Sequence, residues 1–242
     1  LSRPNGVWNL GSCEAAELAK LAETTYRDVN IALANQFARY SREIAVDFAQ
    51  IQEACNSQPY SHIHNPGISV GGHCIPVYPR LYLWNDPEAS IVREARSVNA
   101  GMPRHAVNLL SSMIGDLSGV SVLVLGAAYR GGVKETTFSG VFQLLNELES
   151  RGAIVRVVDQ MYSASELNRL GLVAPGRGFV AEALIIQADH EEYRMLSKEE
   201  FPDVRAVVDG RAALNPALWR GVSLRRIGAL ESYPGGVDDP PH

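Results

Sequence analysis

Gly119-Val120-Ser121-Val122-Leu123-Val124-Leu125-Gly126 decides the fold. A short run of valine and leucine between glycines reads as a strand buried on both faces, the mark of a parallel sheet. An amphipathic helical pattern follows over roughly 139–151. A second apolar run, 153–158, ends at Asp159, and further runs at 183–186, 206–208 and 223–227 supply three more candidate strands. Strands alternating with helices imply βαβ units around one parallel sheet. The Pro/Gly/Asp-rich tail, 233–242, reads as loose.

Upstream of this run the pattern is helical. Ala15, Leu18, Leu21, Ala22, Val29, Ala32, Leu33, Phe37 and Tyr40 recur at helical spacing, with no Pro or Gly from Glu14 until Pro59. The spacing predicts helices over 13–41 and 47–56. Residues 57–80 form a loop rich in Pro, Gly, His and Asn, of a length that is usually either functional or disordered. Another helical stretch, 88–116, is interrupted by Gly101 and Pro103. The chain therefore divides near residue 118, into a helical unit (1–118) and an α/β unit (119–242).

The chain has 242 residues, 46% hydrophobic and 20% charged, with a net charge of -5. That suits a globular protein of one large or two ordinary domains. The acidic balance argues against a nucleic-acid partner, and no apolar run is long enough for a membrane span. The first ten residues lack a charged start followed by an apolar stretch, so no signal peptide is expected. Three cysteines, Cys13, Cys55 and Cys74, are too few and too widely spaced for a disulfide framework and suit a reducing, cytoplasmic setting.

Cys74 stands in Gly71-Gly72-His73-Cys74-Ile75-Pro76. The glycines permit backbone shapes closed to other residues and let a ligand come close. A thiol beside them is either a nucleophile or a small buried residue. Cys13 and Cys55 lie on expected helices and read as inert. Lys20, within Ala19-Lys20-Leu21-Ala22, is either a surface residue with a buried stem or, if enclosed, an acid/base or oxyanion group. Thr24 lies one turn on and shares its face. Gly126 to Gly132 joins a strand to a helix and offers backbone N–H groups and Arg130 to a phosphate. It lacks the second glycine of G-x-G-x-x-G, while Asp159 stands where an acidic residue can bind a ribose. His62 and His64 have no further ligands beside them, so no metal is expected.

Several phrases together resemble the UDP-glucose/GDP-mannose dehydrogenase family: Ala16 to Leu21, Thr25 to Ala32, Gly71 to Val77, Asn99 with Met102-Pro103, Val124 to Gly126 with Ala128 to Arg130, Ala188 to His190 with Tyr193, and Val208 to Arg211. They fall in the family's order, and the Gly-Gly-His-Cys form is similar to the branch acting on UDP-N-acetylmannosamine. The resemblance implies an all-helical central, dimerising domain followed by a Rossmann-like domain that binds a UDP-sugar. It implies oxidation of the sugar C6 alcohol to a carboxylate with NAD, bound mainly by a domain absent from this chain. Cys74 would capture the aldehyde, Lys20 would stabilise the oxyanion, and Arg130 would lie near the UDP phosphates. Gly71, Gly72, His73 and Tyr78 would line the substrate. The chain also departs from the pattern. Thr24 replaces the family's Asn, Tyr78 its Asp, and Thr137-Phe138-Ser139 its Arg-Glu-Ser. Losing the Asp removes a candidate base, and losing the Arg removes a bidentate anion partner. A homologue that binds a UDP-sugar, or acts as a dimeric partner, without oxidising it is the second expectation. Cysteine-dependent acyl chemistry on such a ligand is the third.

Overall fold

The computed structural model describes residues 6–230; the predicted loose tail lies outside them. Helix α1, Cys13–Glu43, runs for 31 residues, about 46 Å at 1.5 Å per residue. It starts where the Ser12 side chain accepts from the Ala15 N–H. α2 (Phe48–Asn56), α3 (Tyr78–Asn85), α4 (Ser90–Ala100) and α5 (Met102–Ile114) follow. Helix α3 corrects the sequence reading, which ran the loop on to residue 80. Pro79 favours a helical start, being tolerated in a first turn whose N–H groups lack partners anyway. Gly101 both ends α4 and begins α5, so the interruption seen in sequence is a junction between two helices.

The sheet is all parallel, with strand order β2-β1-β3-β4-β5. Its strands are β1 (Ser121–Leu125), β2 (Ile154–Val158), β3 (Ala183–Ile186), β4 (Ala206–Asp209) and β5 (Ser223–Arg226), with α6 (Val141–Glu149) and α7 (Ala164–Arg169) between them. Alternation along β1 sorts the two faces. Val122 and Val124 join Leu144, Leu148 and Leu167 in one core, while Leu123 and Leu125 join Trp219, Tyr193 and Leu224 in the other. The first core also takes in Met102, Ala106, Val107 and Leu110, so α5, read as part of the helical stretch, covers the sheet. The second face is covered by 3₁₀ turns at Glu191–Met195 and Pro216–Trp219.

α1 packs on α3 and α4 through a stripe that is partly polar: Thr24, Thr25, Asp28, Ala32 and Asn35 are buried. Arg96 Nη1 donates to Asp28 Oδ1 at 2.6 Å, and Asn99 Nδ2 donates to the same oxygen at 2.8 Å. Asn35 donates to Asn99 Oδ1 at 3.0 Å and accepts from the Gly67 N–H at 2.8 Å. The chain of bonds therefore runs from α4 through α1 into the loop. The opposite side of α1 leaves Leu18, Tyr26, Leu33, Phe37 and Tyr40 exposed. Among the described residues no helix is long and apolar enough to cross a membrane.

Asn99→Ala strips partners from buried Asp28 and Asn35 together. The expected loss is about 2–4 kcal/mol, because a buried polar group left without its bond costs its full desolvation. Denaturant unfolding measures it, and a change under about 0.5 kcal/mol, the size of an ordinary surface effect, would remove the network from the stability of the fold.

Candidate active site

The loop between α2 and α3 is held by amide side chains along its length. Asn30 donates to His62 O and accepts from the His64 N–H, and Asn56 does the same for both backbone groups of Ile63. Past Gly67 the loop meets the α/β unit. The Ile68 N–H donates to Gly210 O at 2.9 Å and the Gly72 N–H to Thr137 O at 3.1 Å. Arg211 reaches across from the end of β4, donating to Gln187 O, Ser69 Oγ and Tyr129 O at 2.9, 3.1 and 3.0 Å. Asp209 sets its base by accepting from the Arg211, Ala213 and Leu214 N–H groups. Burial lowers the Arg211 pKa and the charge of Asp189 raises it, with burial the larger effect.

The glycines have a physical reason different from the one expected. A Cβ on Gly71 would lie 2.5 Å from Tyr129 Cβ and 2.8 Å from Phe138 O, and Gly72 has φ +92°. The closely approaching group is the α/β unit itself. Cys74 is half-buried in the tight turn that follows, its carbonyl accepting from the Val77 and Tyr78 N–H groups at 3.1 and 2.9 Å. The Tyr78 ring opens α3, and Lys20 Nζ lies 5.5 Å from the ring centroid. The structure thus brings Lys20, Tyr78 and the Cys74 turn together. Lys20 is exposed, not enclosed, and its amine donates to Glu23 at 3.2 Å. Thr24 is buried and donates its hydroxyl back to Lys20 O at 2.7 Å, so its proton serves its own helix. His73 is exposed and its Nε2 lies 3.2 Å from Glu135 Oε2.

The turn after β1 overturns the phosphate reading. The Ala127 and Ala128 N–H groups both donate to Asp159 Oδ2, at 2.8 and 3.2 Å. Tyr129 N–H donates to Glu135 O, Gly131 N–H to Asp189 Oδ1 and Gly132 N–H to His190 Nδ1. An internal carboxylate sits where a bound phosphate would, and His190 Nε2 lies 3.2 Å from the same oxygen. Asp159 is buried and has no place for a ribose. Its net pKa is lowered: burial raises it most, but His190 and the backbone N–H groups outweigh that together. Arg130 is exposed, its guanidinium 5.9 Å from the Tyr129 ring centroid. Among the described residues no cluster of three or more His, Cys, Asp or Glu could hold a metal.

Sequence reading missed Asp28, Asn35, Ser69, Arg96 and Glu135. Polar residues at helical spacing on the buried stripe of α1 were the available signal for the first two. Glu135 accepts from the Thr137 N–H and hydroxyl at 2.8 and 2.6 Å. The hydroxyl first, then the N–H and the His73 ring, hold its carboxyl down from 4.5 to about 2.

A parallel sheet of this order, with a cysteine-bearing loop clasped between it and a helical unit, defines a two-part α/β protein whose site lies at the junction. Residues 14–101 match the UDP-glucose/GDP-mannose dehydrogenase family, central domain, and residues 123–216 match that family's UDP binding domain. The chain belongs to this family. It is 33% identical over 219 residues to the UDP-N-acetyl-D-mannosamine dehydrogenase of Methanocaldococcus jannaschii, covering 87% of this chain and 50% of that protein. Among solved structures, the UDP-D-ManNAc dehydrogenase of Pyrococcus horikoshii superposes with a TM-score of 0.78 at 33% identity, over 88% of this chain and 51% of that one. A UDP-glucose dehydrogenase from Pyrobaculum islandicum gives 0.79 at 26% identity, over 90% and 51%. The chain spans about half the length of these relatives.

A carboxylate whose pKa falls on folding adds stability above its unfolded value, and that contribution is lost as pH falls toward the folded one. For Glu135 the window runs from about 4.5 down to about 2. Glu135→Gln is expected to melt below the wild type at neutral pH, with the gap closing across that window. Melting curves that stay equally separated down to pH of about 2 would refute this role for the carboxylate.

Proposed function

We propose that this chain forms the central and UDP-sugar-binding parts of an NAD-dependent dehydrogenase that oxidises the C6 hydroxyl of a UDP-sugar to a carboxylate. Relatives named for UDP-N-acetyl-D-mannosamine favour a UDP-N-acetylhexosamine as the sugar. The observation that carries the reading is the meeting of Lys20, Tyr78 and the Cys74 turn at the face of the α/β unit. In this reading the Cys74 thiolate adds to the C6 aldehyde carbon, and the Lys20 ammonium stabilises the oxygen that becomes negative. Arg130, exposed and bonded only to its neighbour's carbonyl among the described residues, supplies charge to the diphosphate. Gly71 and Gly72 shape the loop that presents the thiol, with His73 and Tyr78 beside the sugar.

The cofactor NAD supplies hydride acceptance. The α/β unit does not fit it, because the N–H groups of its first turn are already bonded to Asp159, Asp189 and His190. In this reading NAD is bound mainly by a domain that this chain does not include. The division near residue 118 separates the two parts, with α5 reaching from the first onto the sheet of the second. The exposed stripe of α1, Leu18 to Tyr40, is the surface of a homodimer, and three free thiols suit the cytoplasm.

One observation favours the second reading, binding without oxidation. Tyr78 and Thr24 stand where the family's Asp and Asn would act, and the Thr24 hydroxyl is committed to its own helix. Thiol mapping separates the outcomes. UDP-N-acetylmannosamine is expected to slow iodoacetamide labelling of Cys74 and leave exposed Cys13 unaffected, as peptide mass analysis reads. Protection without NADH, once an NAD-binding partner domain is supplied, establishes binding alone. Labelling of Cys74 that the sugar nucleotide leaves unchanged overturns both readings.

A further inference from the structure

A thioester on Cys74 becomes a carboxylate only when water attacks it, and that step is helped by a group that takes a proton from the water. Most neighbours of the Cys74 turn are committed elsewhere. The Lys20 ammonium has donors and no lone pair. Glu23 is shared between Lys20 and Arg27, at 3.2 and 2.8 Å. The Thr24 hydroxyl is bonded to Lys20 O, and Tyr78 gives its ring face to the same amine. His73 differs from all of these. It is exposed to water and directly precedes Cys74, and consecutive Cα atoms stand only about 3.8 Å apart.

The His73 ring is tied at one end. Its Nε2 lies 3.2 Å from Glu135 Oε2, and no described residue bonds to its Nδ1. The other carboxylate oxygen of Glu135 accepts from the Thr137 N–H and hydroxyl, at 2.8 and 2.6 Å. These bonds, the hydroxyl first, hold the carboxyl at about 2, so it is ionised at neutral pH. An ionised carboxylate can only accept. The proton between the two groups therefore sits on Nε2, and the neutral ring keeps its lone pair on Nδ1. The same segment grips the backbone beside the ring: the Thr137 carbonyl accepts from the Gly72 N–H at 3.1 Å. Residues 135–137 thus fix both the peptide before His73 and the tautomer of its ring.

We propose that His73 is the base that activates water against a thioester on Cys74, and that Glu135 is the positioning residue that sets its tautomer. The proposal rests on the reading of Cys74 as the nucleophile. In the step, the water oxygen forms a bond to the thioester carbonyl carbon while a water proton passes to His73 Nδ1. The carbon–sulfur bond then breaks, its electron pair stays on sulfur as the thiolate, and the carboxylic acid leaves. A base oriented by a third group beside a nucleophile is the general logic of covalent catalysis.

Acetylation of the 242-residue chain by 4-nitrophenyl acetate tests this without NAD. Attack by the Cys74 thiolate releases 4-nitrophenolate and leaves acetyl-Cys74, which peptide mass analysis locates and Cys74→Ala lacks. Once the reagent is removed, loss of the acetyl group is followed over time and over pH. His73→Gln is expected to slow that loss by about a hundredfold or more, the usual share of a general base. It is also expected to remove one ionisation from the pH profile. Glu135→Gln is expected to slow it by about fivefold, the range open to an exposed ion pair, and Glu135→Asp to recover most of the rate. Circular dichroism verifies that each variant folds, and the Glu135 pair decides the question if His73→Gln does not. Acetyl-Cys74 that decays alike in wild type and His73→Gln, or alike in wild type and Glu135→Gln, overturns the proposal and leaves the nucleophile reading standing. A failure of Cys74 to take the acetyl group overturns both.

Discussion

Every buried backbone N–H and C=O must find a partner, and the loop between α2 and α3 meets that demand with side chains in place of regular structure. Asn30, Asn35 and Asn56 serve it from the helices, and the Gly210 and Thr137 carbonyls serve it from the α/β unit. The partners come from both units of the chain. Neither unit alone therefore fixes the turn that holds Cys74, and the site exists because the two are docked. The Arg96–Asp28–Asn99–Asn35 series makes the helical side of that clamp stiff. Buried polar networks of this kind are strong only when complete, since a removed member leaves the others desolvated and unbonded. Asp28 is the sensitive member: burial raises its pKa most, against the pull of Arg96 and Asn99.

The α/β unit has the topology of a nucleotide-binding sheet with its usual phosphate position filled from within. In a doubly wound sheet the ligand crevice lies where the strand order reverses, beyond the carboxyl ends of the central strands. Here that point lies between β1 and β3. It is closed: a Cβ on Gly126 would lie 2.4 Å from Ala188 Cβ, and Asp159 takes the N–H groups of the turn. A second anion would have to displace a carboxylate already satisfied by backbone and by His190. The cation nearest that turn is exposed Arg130, whose guanidinium lies by the Tyr129 ring.

The strands and the long helix were legible because their periodicity reports burial directly. β1, with four of its five residues buried, could be read from composition alone. α3 was not legible, since it begins inside a proline-rich stretch and buries only Pro79 among its residues. The same limit applied to the site. Gly71, Gly72 and Cys74 announced themselves by type; the glycines pack against Tyr129 and Phe138, and Cys74 lies in the turn that follows. What the glycines accommodate was hidden, because Tyr129 and Phe138 lie far along the chain from them. The Asp159 reading failed for a related reason. An acidic residue at the end of β2 looks the same in sequence whether it faces a ribose or the turn beside it, and only the fold of residues 126–132 decides.

The position of Tyr78 shows how a single side chain sets the behaviour of the candidate site. Its N–H closes the turn on the Cys74 carbonyl, so any residue there is held at the same place opposite Lys20. A carboxylate at that place would pair with the amine. The tyrosine instead offers its ring face, and Glu23 offers an exposed ion pair one turn along α1. An exposed cation–π contact contributes about 0.5–1 kcal/mol, and an exposed ion pair about 0.2–1 kcal/mol. Both contacts lie at an exposed amine, so neither alone holds Lys20 in one place.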